Sequence, residues 1–329
     1  MKAITLKAFG GPEVMTLGDV DKPQAGAGQV LIKVVATSVN RADIVQRRGF
    51  YPAPQGESEI LGLEVAGIVS AVGDGVRSPA AGDLVIALVG GGGYAEYAVA
   101  YAGHCIPLPE NMDFDAGACI CETYITAFLN VFQLGALADG DAVLLHGGGG
   151  GVNTAAIQIC RALRPNSTIY VTASSGKLDR VAELGAHHVI DYKHSDFSKE
   201  IERLSEGKGV PMILDHIGAD YLQQNLHCLG KDGRLVVIGV MSGAVGKIDL
   251  MKMMAKRQQI IGSTLRSQPP EDKTRLISDF REKVMPLFAS SKLEPLIHLT
   301  FPLADASEAH KAMEESSHFG KLVLKVQGA

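Results

Sequence analysis

Residues 142–153 read AVLLHGGGGGVN, a short apolar run that ends in five consecutive glycines and passes without a spacer into TAAIQICRAL (154–163). Residues 142–145 are apolar enough for a buried parallel strand, and Ala155, Ile159 and Ala162 fall on one stripe of a helix. A glycine turn between such a strand and helix lets backbone N–H groups approach a phosphate at the positive helix end. A flexible linker has similar composition, but linkers seldom separate a buried strand from a helix with no other residues. The stretch predicts a nucleotide-binding strand–turn–helix.

A second parallel strand is predicted at 167–172 (STIYVT), followed by Ala173, Ser174, Ser175, Gly176 and Lys177. Cofactors without a 2′-phosphate are usually held at this point by an acidic side chain on the ribose hydroxyl. No Asp or Glu stands there; the first is Asp179, inside the next predicted helix. Ser174 and Lys177 instead suit a 2′-phosphate by hydrogen bond and charge. Lys177 also reads as an ordinary solvated first-turn lysine, so the missing acid carries most of the preference for NADPH over NADH.

The chain of 329 residues can form two domains with real cores. A charged share of 20% with 46% hydrophobic residues is globular composition, and disorder is not expected. A net charge of −5 argues against a nucleic-acid or membrane surface. No apolar run approaches a membrane span, and MKAITLKAFG lacks a signal-type apolar core, so a cytoplasmic protein is expected. The cysteines (105, 119, 121, 160, 228) are scattered as reduced thiols, and Cys119-Ile-Cys121 lacks zinc-site spacing.

Residues 1–120 alternate short strands with glycine breaks (MKAITLKAF, QVLIKVVATSVN, LEVAGIVSAVG, GDLVIALV, YAEYAVA), an all-β signature. From about Thr123 strands alternate with helices. Strands are predicted at 142–145, 168–172, 188–190, 211–215, 234–238 and 259–263, with helices at 176–184, 196–205 and 221–228. Six such strands make a doubly wound Rossmann sheet. A helix is predicted at 272–289, then a last helix and the strand KLVLKV, which rejoins the first domain. A pocket is expected where the β-rich domain covers the carboxyl ends of the Rossmann strands. His216 follows the fourth of these strands and reads more simply as a loop residue than as an acid–base group.

Together these segments resemble the medium-chain dehydrogenase/reductase superfamily, and within it the zinc-independent quinone oxidoreductases, closest to the p53-inducible type. The resemblance rests on SVNRADIVQRRGFYPAPQG (38–56), ILGLEVAGIV (60–69), ETYITAF (122–128), HGGGGGVNTAAIQ (146–158), LDHIG (214–218) and FGKLVLKV (319–326). It implies an α/β fold with a GroES-like β-barrel domain at 1–123 and 266–329 and a Rossmann NADPH-binding domain at 124–265. It also implies a homodimer, paired through the Rossmann sheets near 236–242.

Zinc-dependent members of this superfamily place a Cys in the segment matching 39–43 and a His-Glu pair at 63–64. Here Asn40 and Leu63 stand there, leaving Glu64 alone, so metal-free hydride transfer to a quinone is the implied reaction. The resemblance implies that Asn40, Tyr51 and Thr126 line the nicotinamide and substrate end. By residue type alone, Tyr51 reads equally as a surface aromatic and Thr126 as filler. Gly147, Gly150, Gly151 and Val152 are carried to the pyrophosphate, and Ser174, Lys177 and Tyr192 to the 2′-phosphate. Tyr192 reads otherwise as a half-buried strand-end aromatic. Ile217, Gly239 and Met241 are carried to the nicotinamide ribose, with Arg266 and Lys321 as further cofactor candidates. One departure is Asn153, where the family turn has a small residue; a bulkier amide there could push the helix away or reach the pyrophosphate. Two other readings stay open: reduction of an enone or alkenal by the same hydride, and a weakly catalytic NADPH-binding sensor or structural protein.

Overall fold

The computed structural model describes residues 1–326 as two compact units, Met1–Ile125 with the returning chain from Leu265, and Thr126–Thr264. The first unit opens with a two-stranded antiparallel ribbon of β1 (Lys2–Leu6) and β2 (Met15–Asp19). Then follow β3 (Gln29–Val39), α1 (Arg41–Arg47), β4 (Glu64–Val72), β5 (Leu84–Leu88), β6 (Tyr97–Tyr101), β7 (Cys105–Pro107) and α2 (Phe114–Gly117). Helix α3 (Thr123–Phe128) leads into the second unit.

That unit carries β8 (Ala142–His146), α4 (Gly151–Leu163), β9 (Thr168–Ala173), α5 (Leu178–Glu183), β10 (His188–Asp191) and α6 (Phe197–Leu204). It continues with β11 (Val210–Asp215), α7 (Leu222–Cys228), β12 (Leu229–Val237), α8 (Leu250–Lys256) and β13 (Gln259–Gly262). The strands form one parallel sheet in the order β10-β9-β8-β11-β12-β13, the doubly wound order of a Rossmann domain. The chain then returns to the first unit as α9 (Pro270–Lys283), α10 (Met285–Ala289), β14 (Ile297–Pro302), α11 (Ala306–Glu315) and β15 (Lys321–Lys325).

In the first unit a seven-stranded sheet runs β14-β15-β3-β4-β5-β7, with β6 also on β3, and KLVLKV pairs antiparallel with β3. Val30, Ile32 and Val34 alternate inward along β3 and meet Val65, Val69, Val85 and Ala98. Val39, Leu322 and Leu324 instead join Ile4, Tyr94 and Met313. Period-two alternation therefore feeds two clusters from one strand.

Two local expectations are corrected. Helix α4 begins at Gly151 rather than residue 154, because the first-turn amides of a helix are unpaired whatever residue carries them. The segment 272–289 is two helices, broken at Val284 (φ −112°, ψ −39°), since Pro286 has no N–H to continue the hydrogen-bond ladder. Helix α8 and strands β7 and β14 were not visible in the periodicity.

The turn between β8 and α4 is set by two different constraints. Gly147 sits at φ +77°, where a side chain is strained. Gly148 is held by packing: a Cβ there would lie 2.5 Å from Val171 Cγ1 and 2.9 Å from Val181 Cγ2. At Gly150 the nearest atom to such a carbon is 3.6 Å away. We expect Gly148→Ala to destabilise the protein by about 1–3 kcal/mol in urea unfolding, and Gly150→Ala to change it by less than about 0.5 kcal/mol. Equal losses in the two variants would contradict this assignment.

Candidate active site

In the second unit the glycine turn is pinned to β9. The amides of Gly147 and Gly148 both donate to the Thr172 carbonyl at 2.9 Å, and Gly150 donates back to the Gly147 carbonyl at 3.1 Å. Helix α4 takes its first internal bonds only at Asn153 and Thr154, which donate to Gly150 O. The amides of Gly151 and Val152 are therefore left open at the positive end of a 13-residue helix. With the bare surface at Gly150, this cradle fits a dinucleotide pyrophosphate.

Asn153 neither spaces the helix nor reaches outward. Its Nδ2 donates to the carbonyls of His146 and, at 3.2 Å, Gly147, stitching the helix start to the strand end. Beneath it, His146 is fully buried and burial pushes it down to about 3, so it is neutral. Its Nε2 donates to Asn225 Oδ1 at 2.7 Å, and Nδ1 is left to accept from the Thr172 hydroxyl at 3.0 Å.

Lys177 lies across the same turn, its Cδ 2.6 Å and Nζ 3.1 Å from the point a Gly149 Cβ would occupy. Ser174 precedes the short 3₁₀ turn that carries Lys177, and Tyr192 follows β10, 40% exposed, its amide on the Ala173 carbonyl at 3.3 Å. The loops after β11 and β12 are tied to each other. Asp215 accepts from the amides of Ile217 (2.8 Å) and Gly218 (3.1 Å), while Met241 and Ser242 donate to the carbonyls of His216 (3.2 Å) and Ile217 (2.7 Å). Gly239 packs on His216, whose ring lies against Gly147.

The first unit centres on Glu64, at 0% exposure. Its Oε1 accepts from Ser38 Oγ (2.6 Å), Asn40 Nδ2 (3.0 Å) and Lys321 Nζ (3.0 Å), and Oε2 from the Glu122 amide (2.9 Å). Lys321 spends its other protons on Asn40 Oδ1 at 2.6 Å and Val39 O at 3.2 Å. Both ends of the Asn40 amide are thereby fixed. Asn40 also caps α1 in a reciprocal box with Asp43, whose Oδ2 accepts the Asn40 amide at 2.8 Å.

Behind Asp43 runs a chain that sequence reading missed, since it joins residues 47, 94 and 310. Arg47 can only donate, so His310 Nδ1 accepts from it (3.0 Å) and Nε2 donates to Tyr94 Oη (3.0 Å). Tyr94 in turn donates to Asp43 at 3.1 Å. Burial pushes His310 down to about 3 and Asp43 up to about 6.

Tyr51 and Arg266 form a second cluster. The guanidinium stands 5.3 Å from the Tyr51 ring centroid, with Nε on Gly90 O (2.7 Å) and Nη1 on Tyr51 O (3.3 Å). Arg266 Nη2 is buried with no hydrogen-bond partner among the described residues. Burial, and then the charge of Glu122, raise the Tyr51 phenol to about 12. Thr126 is in the other unit, on α3, its carbonyl accepting from Asn130 Nδ2 at 2.8 Å.

The residues around Glu64 do not fit a zinc ion. Leu63 is an apolar core residue, and the carboxylate is already neutralised by an ammonium that would repel a divalent cation. Burial holds the Cys119 and Cys121 thiols far above their usual range, so neither is a thiolate. Among the described residues no three His, Cys, Asp or Glu side chains converge as metal ligands.

Residues 26–110 match the alcohol dehydrogenase GroES-like domain, and residues 151–290 the family described as zinc-binding dehydrogenase. The quinone oxidoreductase of Rattus norvegicus is 35% identical over 328 residues, covering 98% of this chain and 97% of the relative. The chain belongs to the medium-chain dehydrogenase/reductase superfamily. As a member it is an NAD(P)H-dependent oxidoreductase with a Rossmann and a GroES-like domain. The synaptic vesicle membrane protein VAT-1 homologue of Danio rerio is 30% identical, over 99% of this chain and 70% of that protein. Among solved structures, Escherichia coli quinone oxidoreductase complexed with NADPH superposes with a TM-score of 0.88 at 26% identity, covering 99% and 100% of the two chains. JamJ enoyl reductase gives 0.88 at 25% identity, over 99% of each chain. No helix among the described residues is long and apolar enough to cross a membrane.

Glu122 yields a test of the electrostatics. Burial, and then the charges of Glu64 and Asp43, raise its carboxyl to about 8. An acid whose folded-state value is raised favours the protonated fold, so its ionisation destabilises increasingly as pH rises from about 4.5 to 8. Glu122→Gln should match the native protein near pH 4 and be more stable by a few kcal/mol, on the order of 2–4, at pH 9. A pH-independent difference in urea unfolding would refute the assignment.

Proposed function

We propose that the protein is a metal-free NADPH:quinone oxidoreductase of the zinc-independent, p53-inducible type. The observation that carries this reading is the saturation of Glu64 by Lys321, Asn40, Ser38 and a backbone amide, which leaves the acceptor polar groups but no metal. Gly147, Gly150, Gly151 and Val152 hold the pyrophosphate, and Ser174, Lys177 and Tyr192 the 2′-phosphate. Ile217, Gly239 and Met241 shape the bed of the nicotinamide ribose. NADPH, when bound, supplies a hydride, which a quinone accepts readily because the product is aromatic.

Asn40 and Tyr51 meet the acceptor. Asn40 is rigid, its amide clamped between Lys321 and Glu64, and orients the acceptor by position rather than by acidity. Tyr51, held at about 12, stays protonated at neutral pH and donates a hydrogen bond to the oxygen that gains negative charge. Lys321 and Arg266 act behind these two residues, fixing Asn40 and Tyr51 respectively. Reduction of an enone is the second reading, favoured by the likeness to an enoyl reductase.

The protein works as a homodimer. Val245, before α8, and Leu250, Met251 and Met254 on α8, the helix that precedes the edge strand β13, are each at least 70% exposed, a surface that a second copy covers. We expect turnover of 1,2-naphthoquinone with NADPH to exceed that of enones and to be unchanged by chelator. Lys177→Ala should weaken NADPH at least about tenfold more than NADH in titrations. Loss of quinone turnover on chelation, or equal weakening of the two cofactors, would overturn the reading.

A further inference from the structure

The acid that β9 lacks at its carboxyl end is delivered by its neighbour. Asp191, the last residue of β10, pairs in parallel register with Ala173, the last residue of β9. A carboxylate therefore stands beside Ser174 and Ser175, where the sheet order brings the adenosine ribose of a dinucleotide. Its position is built rather than incidental. Oδ2 accepts from Ser175 Oγ at 2.6 Å and meets His194 Nδ1 at 2.9 Å, and Oδ1 accepts from the Lys193 amide at 3.0 Å. Ser175 Oγ also lies 3.3 Å from His194 Nδ1.

The side chain is 15% exposed, and the Ser175 hydroxyl and then His194 hold it down to about 2, so it is ionised at any working pH. With one donor on Oδ1 it retains capacity to accept another hydrogen bond. The 3₁₀ turn after β9 carries Lys177, with Asp179 and Arg180 following at the start of α5, and the loop after β10 carries Tyr192, Lys193 and the exposed His194. Lys177 and Lys193 attract a 2′-phosphate, whereas Asp191 repels it and can accept a free 2′-hydroxyl.

We propose that Asp191 determines the cofactor balance of this protein, accepting the ribose 2′-hydroxyl of NADH where Ser174 and Lys177 take the phosphate of NADPH, so that both cofactors are used. Ser175 aims the carboxylate, and His194 Nδ1 donates a second hydrogen bond to the same oxygen. The inference rests on the nucleotide reading of the glycine turn.

The test is equilibrium binding of NADPH and NADH to the full chain and to Asp191→Asn and His194→Ala, with kcat/KM for each cofactor alongside. The native protein binds both. Asp191→Asn tightens NADPH and weakens NADH, moving their ratio by about tenfold or more. His194→Ala removes a side chain that is 73% exposed, so the fold is retained, and it moves the ratio the other way. A merely structural Asp191 would weaken both cofactors alike. A ratio unchanged within about twofold in both variants overturns the proposal while leaving the nucleotide site intact. Failure of either cofactor to bind the native protein overturns the nucleotide reading itself.

Discussion

A carboxylate with no solvent exposure must find its donors inside the protein, and Glu64 finds four of them. They come from the end of β3 (Ser38), the cap of α1 (Asn40), the amide preceding α3 (Glu122) and the start of β15 (Lys321). Glu64 and Lys321, 257 residues apart in the chain, are thereby drawn to one point. Removing either partner would strand a buried charge, which costs more than the pair contributes. That asymmetry makes the Asn40 amide stiff, which suits a residue that works by orientation.

A second layer stands behind it. Arg47, His310 and Tyr94 pass hydrogen bonds in one direction to Asp43, and Asp43 holds both the Asn40 amide and the Gly62 amide. The polarity is dictated by Arg47, which cannot accept and so fixes the tautomer of His310. Every member is buried, so an error at any link would leave a polar group without a partner.

In the Rossmann unit the ligand surface is made of backbone, and its shape depends on what packs beneath it. Gly148 lies on Val171 and Val181, Gly147 against His216, and Lys177 crosses Gly149. Asn153, the one bulky residue where a small one is usual, turns inward to the carbonyls of His146 and Gly147. The larger side chain is accommodated because its donor meets two acceptors already present at the strand end.

Local pattern alone determined the strand–glycine–helix unit, the parallel strands of the Rossmann sheet and the alternating strands of the β-rich half. Each depends on neighbours within a few residues, through periodicity, glycine and the helix N-terminus. The lack of an acid after Thr172 was equally legible. Asp191, which stands beside that place, was not, because it arrives through the register of β10 on β9. The Lys321–Glu64–Asn40 cluster, the relay from Arg47 to Asp43 and the seat of Arg266 on Tyr51 join residues tens to hundreds of positions apart. Only tertiary structure could decide them, since burial creates the demand for partners and nothing in the local sequence records which distant donor meets it.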